Sequence, residues 1–216
     1  DKIPVFSTGY GRADSADGSV FAWNFPLLGT YWSAADMIVQ HVAKKGSLKG
    51  KKVALVYHDS PYGKEPIRAL EEHAKKHCFQ FIKLPVTHPG VEQKATWLQV
   101  RQQRPDYVFL WGWGVMNSTS IKEAIAVSYP RLQMFGVWWS SAEPDVLPAE
   151  MAAKGYNGIT LGHSSEKGLA VHKDIEKHLY AKGKGTAKSK DEIGSVLYNR
   201  GMISAMLSVD GVKQAQ

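Results

Sequence analysis

The chain has 216 residues, of which 44% are hydrophobic and 22% charged, so its composition is that of a folded globular protein and excludes a disordered or fibrous one. The net charge of +7 favours anionic partners, and the single cysteine, Cys78, excludes an internal disulfide and a multi-cysteine zinc site. The longest uncharged apolar runs, such as residues 107–115, fall far short of the roughly 20 residues of a membrane-spanning helix.

The chain opens with a predicted strand at residues 3–6 (IPVF), and residues 21–25 (FAWNF) form a second extended run. Gly9 and Gly11, just after the first strand, match the start of a dinucleotide-binding fingerprint. The third glycine of that fingerprint is replaced by Asp14, and residues 13–19 have the polar character of a turn without helical periodicity. We therefore favour a turn over a nucleotide site.

The central region alternates strands with helices. Because the strands recur about every 27 residues, we predict βα units joined by crossover helices. Their near-continuous hydrophobicity indicates burial on both faces. Ser60 and Pro61 mark a helix start, since a hydroxyl caps the helix and proline needs no amide hydrogen there. Residues 28–154 are thus predicted to be an α/β layer, doubly wound, with a mainly parallel sheet. Its strands are expected at residues 52–57, 79–84, 107–111 and 133–138.

The pattern changes beyond this layer. The predicted elements are an extended run at residues 158–161, a helix at 167–181, a lysine-rich loop at 182–190 and a helix at 193–209. Since no arginine or aromatic residue is interleaved in the loop, a solvated connection is favoured over a nucleic-acid site. The last helix has an apolar face that includes Leu197, Ile203 and Met206. Such a face normally packs against a sheet, and the central layer already has enough helices for its strands. We therefore expect the flanks to belong to another lobe, the chain to be a fragment, and this face to be exposed.

Signals for catalysis or metal binding are weak. His73 and His77 are four residues apart on one predicted helix, but they lack a third ligand, so a surface pair is favoured. No G-x-S-x-G nucleophile elbow is present. Cys78 begins a predicted strand, where a buried thiol is the default. We therefore predict no catalytic residues, no metal site and no cofactor.

Four tryptophans lie at or just beyond the carboxyl ends of two neighbouring predicted strands: Trp111, Trp113, Trp138 and Trp139. Ligands of open α/β sheets bind in the crevice at this edge, and Tyr62 lies at a helix start on the same edge. Core packing accounts for one or two of these side chains. The whole set favours the aromatic wall of a ligand pocket.

Four segments occur in a specific order and spacing: residues 2–7 (KIPVFS), 59–63 (DSPYG), 105–112 (PDYVFLWG) and Phe135 with Gly136. Together they resemble the type 1 periplasmic solute-binding proteins, and most closely the branched-chain amino-acid and amide branch that feeds ABC transporters. The resemblance implies that residues 1–27 are a remnant of lobe one with the first hinge crossing, and that 28–154 are lobe two. Residues 155–216 would be the second hinge crossing and the return helices of an incomplete lobe one.

The resemblance also implies a function. The protein would lie in the periplasm, or outside the cell on a lipid anchor, and would deliver a small molecule to an ABC permease without binding nucleic acid or inserting into the membrane. Two alternatives stay open. A ligand-sensing regulatory domain of the same fold would be distinguished by an output domain after Gln216. An α/β enzyme would need an acid–base pair in the cleft, for which the sequence offers no candidate.

In the family's amino-acid binders, a small-residue turn after the first strand holds the ligand carboxylate, and an acidic residue after the fourth strand pairs with the ligand ammonium. That acid is replaced here by Trp138, or by Trp139 if the register is shifted by one. A buried ammonium without a carboxylate costs several kcal/mol, of which a cation–π contact offsets only about 2 kcal/mol. The resemblance therefore implies an aromatic or other carboxylate, or an amide, rather than a zwitterionic amino acid. The implied ligand-binding residues are Ser7, Thr8, Gly9, Tyr10, Tyr62, Trp113 and Trp138.

Overall fold

A computed structural model describes residues 2–7, 9–26, 29–160, 167–187 and 189–216. The strands in these residues are β1 (Val5–Ser7), β2 (Asn24–Pro26), β3 (Lys52–His58), β4 (Gln80–Val86), β5 (Tyr107–Trp111), β6 (Met134–Gly136) and β7 (Asn157–Gly158). The helices are α1 (Tyr31–Lys44), α2 (Pro61–Lys64), α3 (Ile67–His77), α4 (Lys94–Gln103), α5 (Val115–Ala126), α6 (Glu143–Val146), α7 (Ala170–His178) and α8 (Val196–Gln214).

Five of the strands form the main sheet, in the order β4-β3-β5-β6-β7, and every neighbouring pair is parallel. In the register of the sheet, Val53 lies beside Phe81 on one side and Tyr107 on the other. The predicted α/β fold with a mainly parallel sheet is therefore confirmed. The sheet extends past the expected boundary at Lys154, because β7 pairs with β6 through Gly158.

Alternate residues of β3 point into two separate cores. Val53 and Leu55 pack on the side of α1 and α3, whereas Ala54 and Val56 pack on the side of α4 and α5. This alternation follows from the two-residue period of a strand. Because the crossover helices cover both faces, the strand is hydrophobic along nearly its whole length rather than at every second position.

The expectation that Cys78 begins a strand with a buried thiol is wrong. Cys78 ends α3 in a left-handed conformation with a φ of 55°, and its side chain is exposed. Its N–H donates to the carbonyl of Ala74, which closes the last turn of the helix. The chain reverses at this residue, so the side chain points to solvent before β4 begins.

β1, β2 and the helices after β7 lie outside the main sheet. β1 and β2 form a small parallel sheet in which Val5 lies beside Asn24. α8 begins one residue after Ser195, whose hydroxyl accepts from the N–H of Tyr198. As expected, most of the α8 face is exposed: Leu197 is 38% and Met206 57% accessible, whereas Ile203 is half-buried. None of the described helices has both the length and the apolar character needed to cross a membrane.

Candidate functional site

A cleft of about 380 Å³ opens where the carboxyl ends of β3, β5 and β6 face the loop after β1. This volume lies within the range of small-molecule sites. The cleft is lined by Tyr10, His58, Ser60, Tyr62, Trp113 and Trp139.

The end of β3 and the start of α2 supply three of these side chains. His58 is the last residue of β3, and the hydroxyl of Ser60 caps α2 by accepting from the N–H of Gly63 at 3.3 Å. Only glycine fits at position 63, because a Cβ there would collide with the His58 carbonyl. This close approach holds Tyr62 in the cleft wall, where its hydroxyl donates to the Gly112 carbonyl at 3.0 Å.

A polar network fixes the two tryptophans of the opposite wall. Asp145 accepts from the N–H of Gly114 at 2.6 Å and from Nδ2 of Asn117 at 2.9 Å. Asn117 Nδ2 also donates to the carbonyl of Trp139 at 3.0 Å. Gly114 directly follows Trp113, so the Asp145 carboxylate positions the backbone beside Trp113 directly. It positions the backbone of Trp139 through Asn117.

Replacing Asp145 with alanine should lower the free energy of unfolding by about 1–3 kcal/mol, because two donors would lose their shared acceptor. Urea unfolding of the complete protein measures the change. Asp174, exposed on α7, offers a matched control in which the same substitution should have little effect. Equal losses in the two variants would contradict a role for the network.

The Gly9 carbonyl joins the loop after β1 to the segment after β6. It accepts from Nε1 of Trp138 at 2.7 Å and from Nε1 of Trp139 at 3.1 Å. Trp139 Nε1 also donates to the hydroxyl of Tyr31 at 2.9 Å. A single oxygen of the loop thus holds both indoles.

Placing Trp138 in the cleft was wrong. Its side chain is 1% exposed and stacks on Tyr31, with ring centroids 5.1 Å apart, whereas Trp139 lines the cleft. The cause is the 3-10 turn at Trp138–Ser140, in which successive side chains diverge by about 120°. Trp139, the alternative given by a shift of one residue, is therefore the tryptophan of this pair that lines the cleft.

The other expected residues divide into two groups. Tyr10, Tyr62 and Trp113 lie together in the cleft. Ser7 does not line it: its hydroxyl donates to the carbonyl of Tyr10 at 2.8 Å, and it borders a separate depression on the far side of Tyr10. Gly9 contributes its carbonyl to the indoles rather than to the cleft surface. Thr8 lies outside the described residues.

Arg200, on α8, was not expected from the sequence. Its side chain covers Trp139, with Cζ 4.8 Å from the ring centroid, and a Cβ on Gly9 would lie 2.9 Å from its Nη1. Gly9 also has a φ of 114°, so glycine is required there for conformation as well as for space. Arg200 is 7% exposed, and burial lowers the pKa of its guanidinium.

His58 and Ser60 were also missed, although a histidine at the carboxyl end of a buried strand was a usable signal. Burial lowers the pKa of His58, and the nearby His88 lowers it further, while Asp59 acts in the opposite direction. The His58 Nε2 lies 3.2 Å from the His88 Nδ1. Both burial and the proximity of His88 favour the neutral form of the His58 imidazole.

Acidification should destabilise the protein through His58. Because the folded state lowers its pKa, the unfolded state binds more protons, and stability falls as pH drops below about 6.5. His58→Gln should therefore lose less melting temperature than the parent protein between about pH 7.5 and 5.5. Identical pH profiles of the two proteins would contradict the shift.

The chemical groups in and near the cleft have mainly structural contacts. Ser60 Oγ accepts from the Gly63 N–H, and the described contacts give it no imidazole partner that would activate it. No three His, Cys, Asp or Glu side chains within the described ranges are placed to hold a metal ion. His73 and His77 stack on each other with ring centroids 5.7 Å apart. Nε2 of His73 lies 3.2 Å from a carboxylate oxygen of Asp36.

The periplasmic binding protein family profile matches residues 1–216. Comparison with curated proteins gave no match. Among solved structures, the chain is similar to a Pseudomonas fluorescens group protein described as an ABC transporter permease, with 41% identity, a TM-score of 0.90, and coverage of 100% of this chain and 52% of that one.

Two further structures share the fold. One is a branched chain amino acid ABC transporter from Thermus thermophilus with bound valine, at 21% identity and a TM-score of 0.81, covering 100% of this chain and 55% of that one. The other is an ABC transporter solute binding protein from R. palustris in complex with benzoate, at 18% identity and a TM-score of 0.70, covering 94% and 54%.

The chain spans about half the length of these solved structures. The family profile nevertheless extends over all of its residues, and the structural similarity to the Thermus thermophilus protein includes the whole chain. The chain therefore belongs to the periplasmic binding protein family.

Proposed function

We propose that this chain is part of an extracytoplasmic solute-binding protein that captures a small organic ligand and delivers it to an ABC permease. The observation that carries the proposal is the aromatic cleft at the carboxyl edge of the main sheet, where open α/β sheets bind ligands. Membership of the periplasmic binding protein family supports binding and release, without chemical change, as the activity.

In this proposal, residues 28–154 together with β7 form one lobe, and residues 1–27 and the segment after β7 contribute to the other. Tyr10 would come from one lobe, and Tyr62, Trp113 and Trp139 from the other. Their position around one cleft supports capture by closure, in which the ligand favours the closed over the open arrangement.

The ligand proposed is an aromatic or other carboxylate, or an amide, rather than a zwitterionic amino acid. No carboxylate is among the described residues that line the cleft, so a ligand ammonium would lose its hydration without gaining a counterion. The flat indole and phenol walls suit an aromatic ring. The benzoate complex of the R. palustris protein supports the same choice, since this fold accommodates an aromatic acid there.

Calorimetric titration of the complete protein with benzoate, benzamide and leucine tests the ligand class. We expect benzoate to bind at least tenfold more tightly than leucine, because the missing counterion penalises only the ammonium. Recovery of the bound benzoate unchanged would agree with transport. Tighter binding of leucine would contradict the proposal.

A further inference from the structure

Arg200 is a buried cation without a counterion. The residue as a whole is 7% exposed, and its Nη1 is buried without a hydrogen-bond partner. The ion pairs among the described residues do not include Arg200. Burial lowers the pKa of Arg200, and the charges of Tyr31 and then Glu143 act in the opposite direction without forming an ion pair with it. The Glu143 carboxylate accepts from the N–H of Val196 at 3.1 and 3.2 Å.

Burying a charge without a partner is unfavourable, and buried charges in proteins are usually paired. The other described arginine stacked on a tryptophan differs in this respect. Arg68 lies 5.4 Å from the ring centroid of Trp32, but it is exposed and has an ion pair with Glu72 at 3.4 Å. Arg200 therefore differs from Arg68 in being buried and in having no ion pair, which leaves its charge available to an anionic ligand.

The location of Arg200 ties it to the cleft. It packs against Gly9, which adjoins the cleft-lining Tyr10, and against the ring of Trp139, which lines the cleft itself. A charge in a water-poor site is screened far less than in bulk water. The overall charge of +7 adds to the attraction of anions.

We propose that Arg200 selects an anionic ligand by serving as the counterion for the carboxylate of a small aromatic acid bound between Tyr10 and Trp139. This inference rests on the proposed function and narrows it, because it favours an acid over the corresponding amide. A purely structural arginine, which merely supports Trp139, would treat the two ligands alike.

Benzoate and benzamide share one ring and differ in charge, so their affinity ratio isolates the effect of the guanidinium. The complete protein should favour benzoate at least tenfold. Arg200→Met should bring the ratio close to one, and Arg200→Lys, which keeps the charge, should restore part of the preference. Arg68→Met, the control, should leave the ratio unchanged. An equal loss of affinity for both ligands in Arg200→Met would overturn the inference.

The melting temperature without ligand gives an independent readout. Removing an unmatched buried charge should leave the melting temperature of Arg200→Met unchanged or raise it, because methionine fills similar space without a desolvation penalty. A clear fall would overturn the inference, since it would show that the guanidinium is stabilising without an anion. If the parent protein binds neither ligand, the proposed ligand class fails, and this measurement still decides whether Arg200 lacks a counterion.

Discussion

Replacing Trp138 with alanine should lower the free energy of unfolding by about 3–5 kcal/mol, the range for truncating a large buried aromatic side chain. Trp138 is 1% exposed and packs in the core on the side of α1, where it stacks on Tyr31. Its Nε1 also donates to Gly9 at 2.7 Å. Urea or thermal unfolding of the complete protein measures the loss.

Trp138→Phe separates packing from hydrogen bonding. Phenylalanine keeps most of the apolar volume and loses the donor, while Gly9 keeps a bond from Trp139, so we expect a smaller loss of about 1–2 kcal/mol. A loss below 1 kcal/mol for Trp138→Ala would contradict the buried position and would return Trp138 to the list of cleft residues.

Replacing Trp139 with alanine should weaken benzoate binding roughly 30-fold or more, because it removes an aromatic wall of the cleft and the ring that Arg200 covers. Loss of a central aromatic contact typically costs about 2 kcal/mol or more of binding free energy, and each 1.4 kcal/mol is about tenfold in affinity. Calorimetric titration measures the effect, and a melting curve checks that the variant is folded.

The matched control is Trp23→Ala, since Trp23 is 45% exposed and lies outside the cleft. Its affinity for benzoate should equal that of the parent protein. If Trp139→Ala retains full affinity while remaining folded, the cleft is not the binding site.

The sheet could be predicted because its signals are local. A strand covered on both faces is hydrophobic along its length, as in β3 and β5, and the turn residues between strands mark the crossovers. The edge at which the cleft lies followed from the same pattern, since parallel strands end together. The placement of Tyr62 and Trp113 at this edge was therefore predicted from their positions in the sequence.

The remaining details depend on geometry that no short pattern contains. Trp138 and Trp139 exchange roles because a single 3-10 turn rotates one side chain into the core and the next into the cleft. Arg200 reaches Gly9 across almost the whole length of the chain, so only the folded arrangement brings them together. The apolar residues after Cys78 led to the prediction that it begins a buried strand. Its side chain instead points to solvent, because Cys78 ends α3 in a left-handed conformation.

The shared acceptor at Gly9 gives the protein an intrinsic optical reporter. Any motion that carries Gly9 away from the segment after β6 breaks its bonds from Trp138 and Trp139 in one event. Trp139 keeps its bond to Tyr31, whereas the indole N–H of Trp138 loses its acceptor. Indole emission shifts to longer wavelength as its surroundings become more polar. If the proposed lobes open and close, we expect the protein's own fluorescence to report the motion without an attached dye.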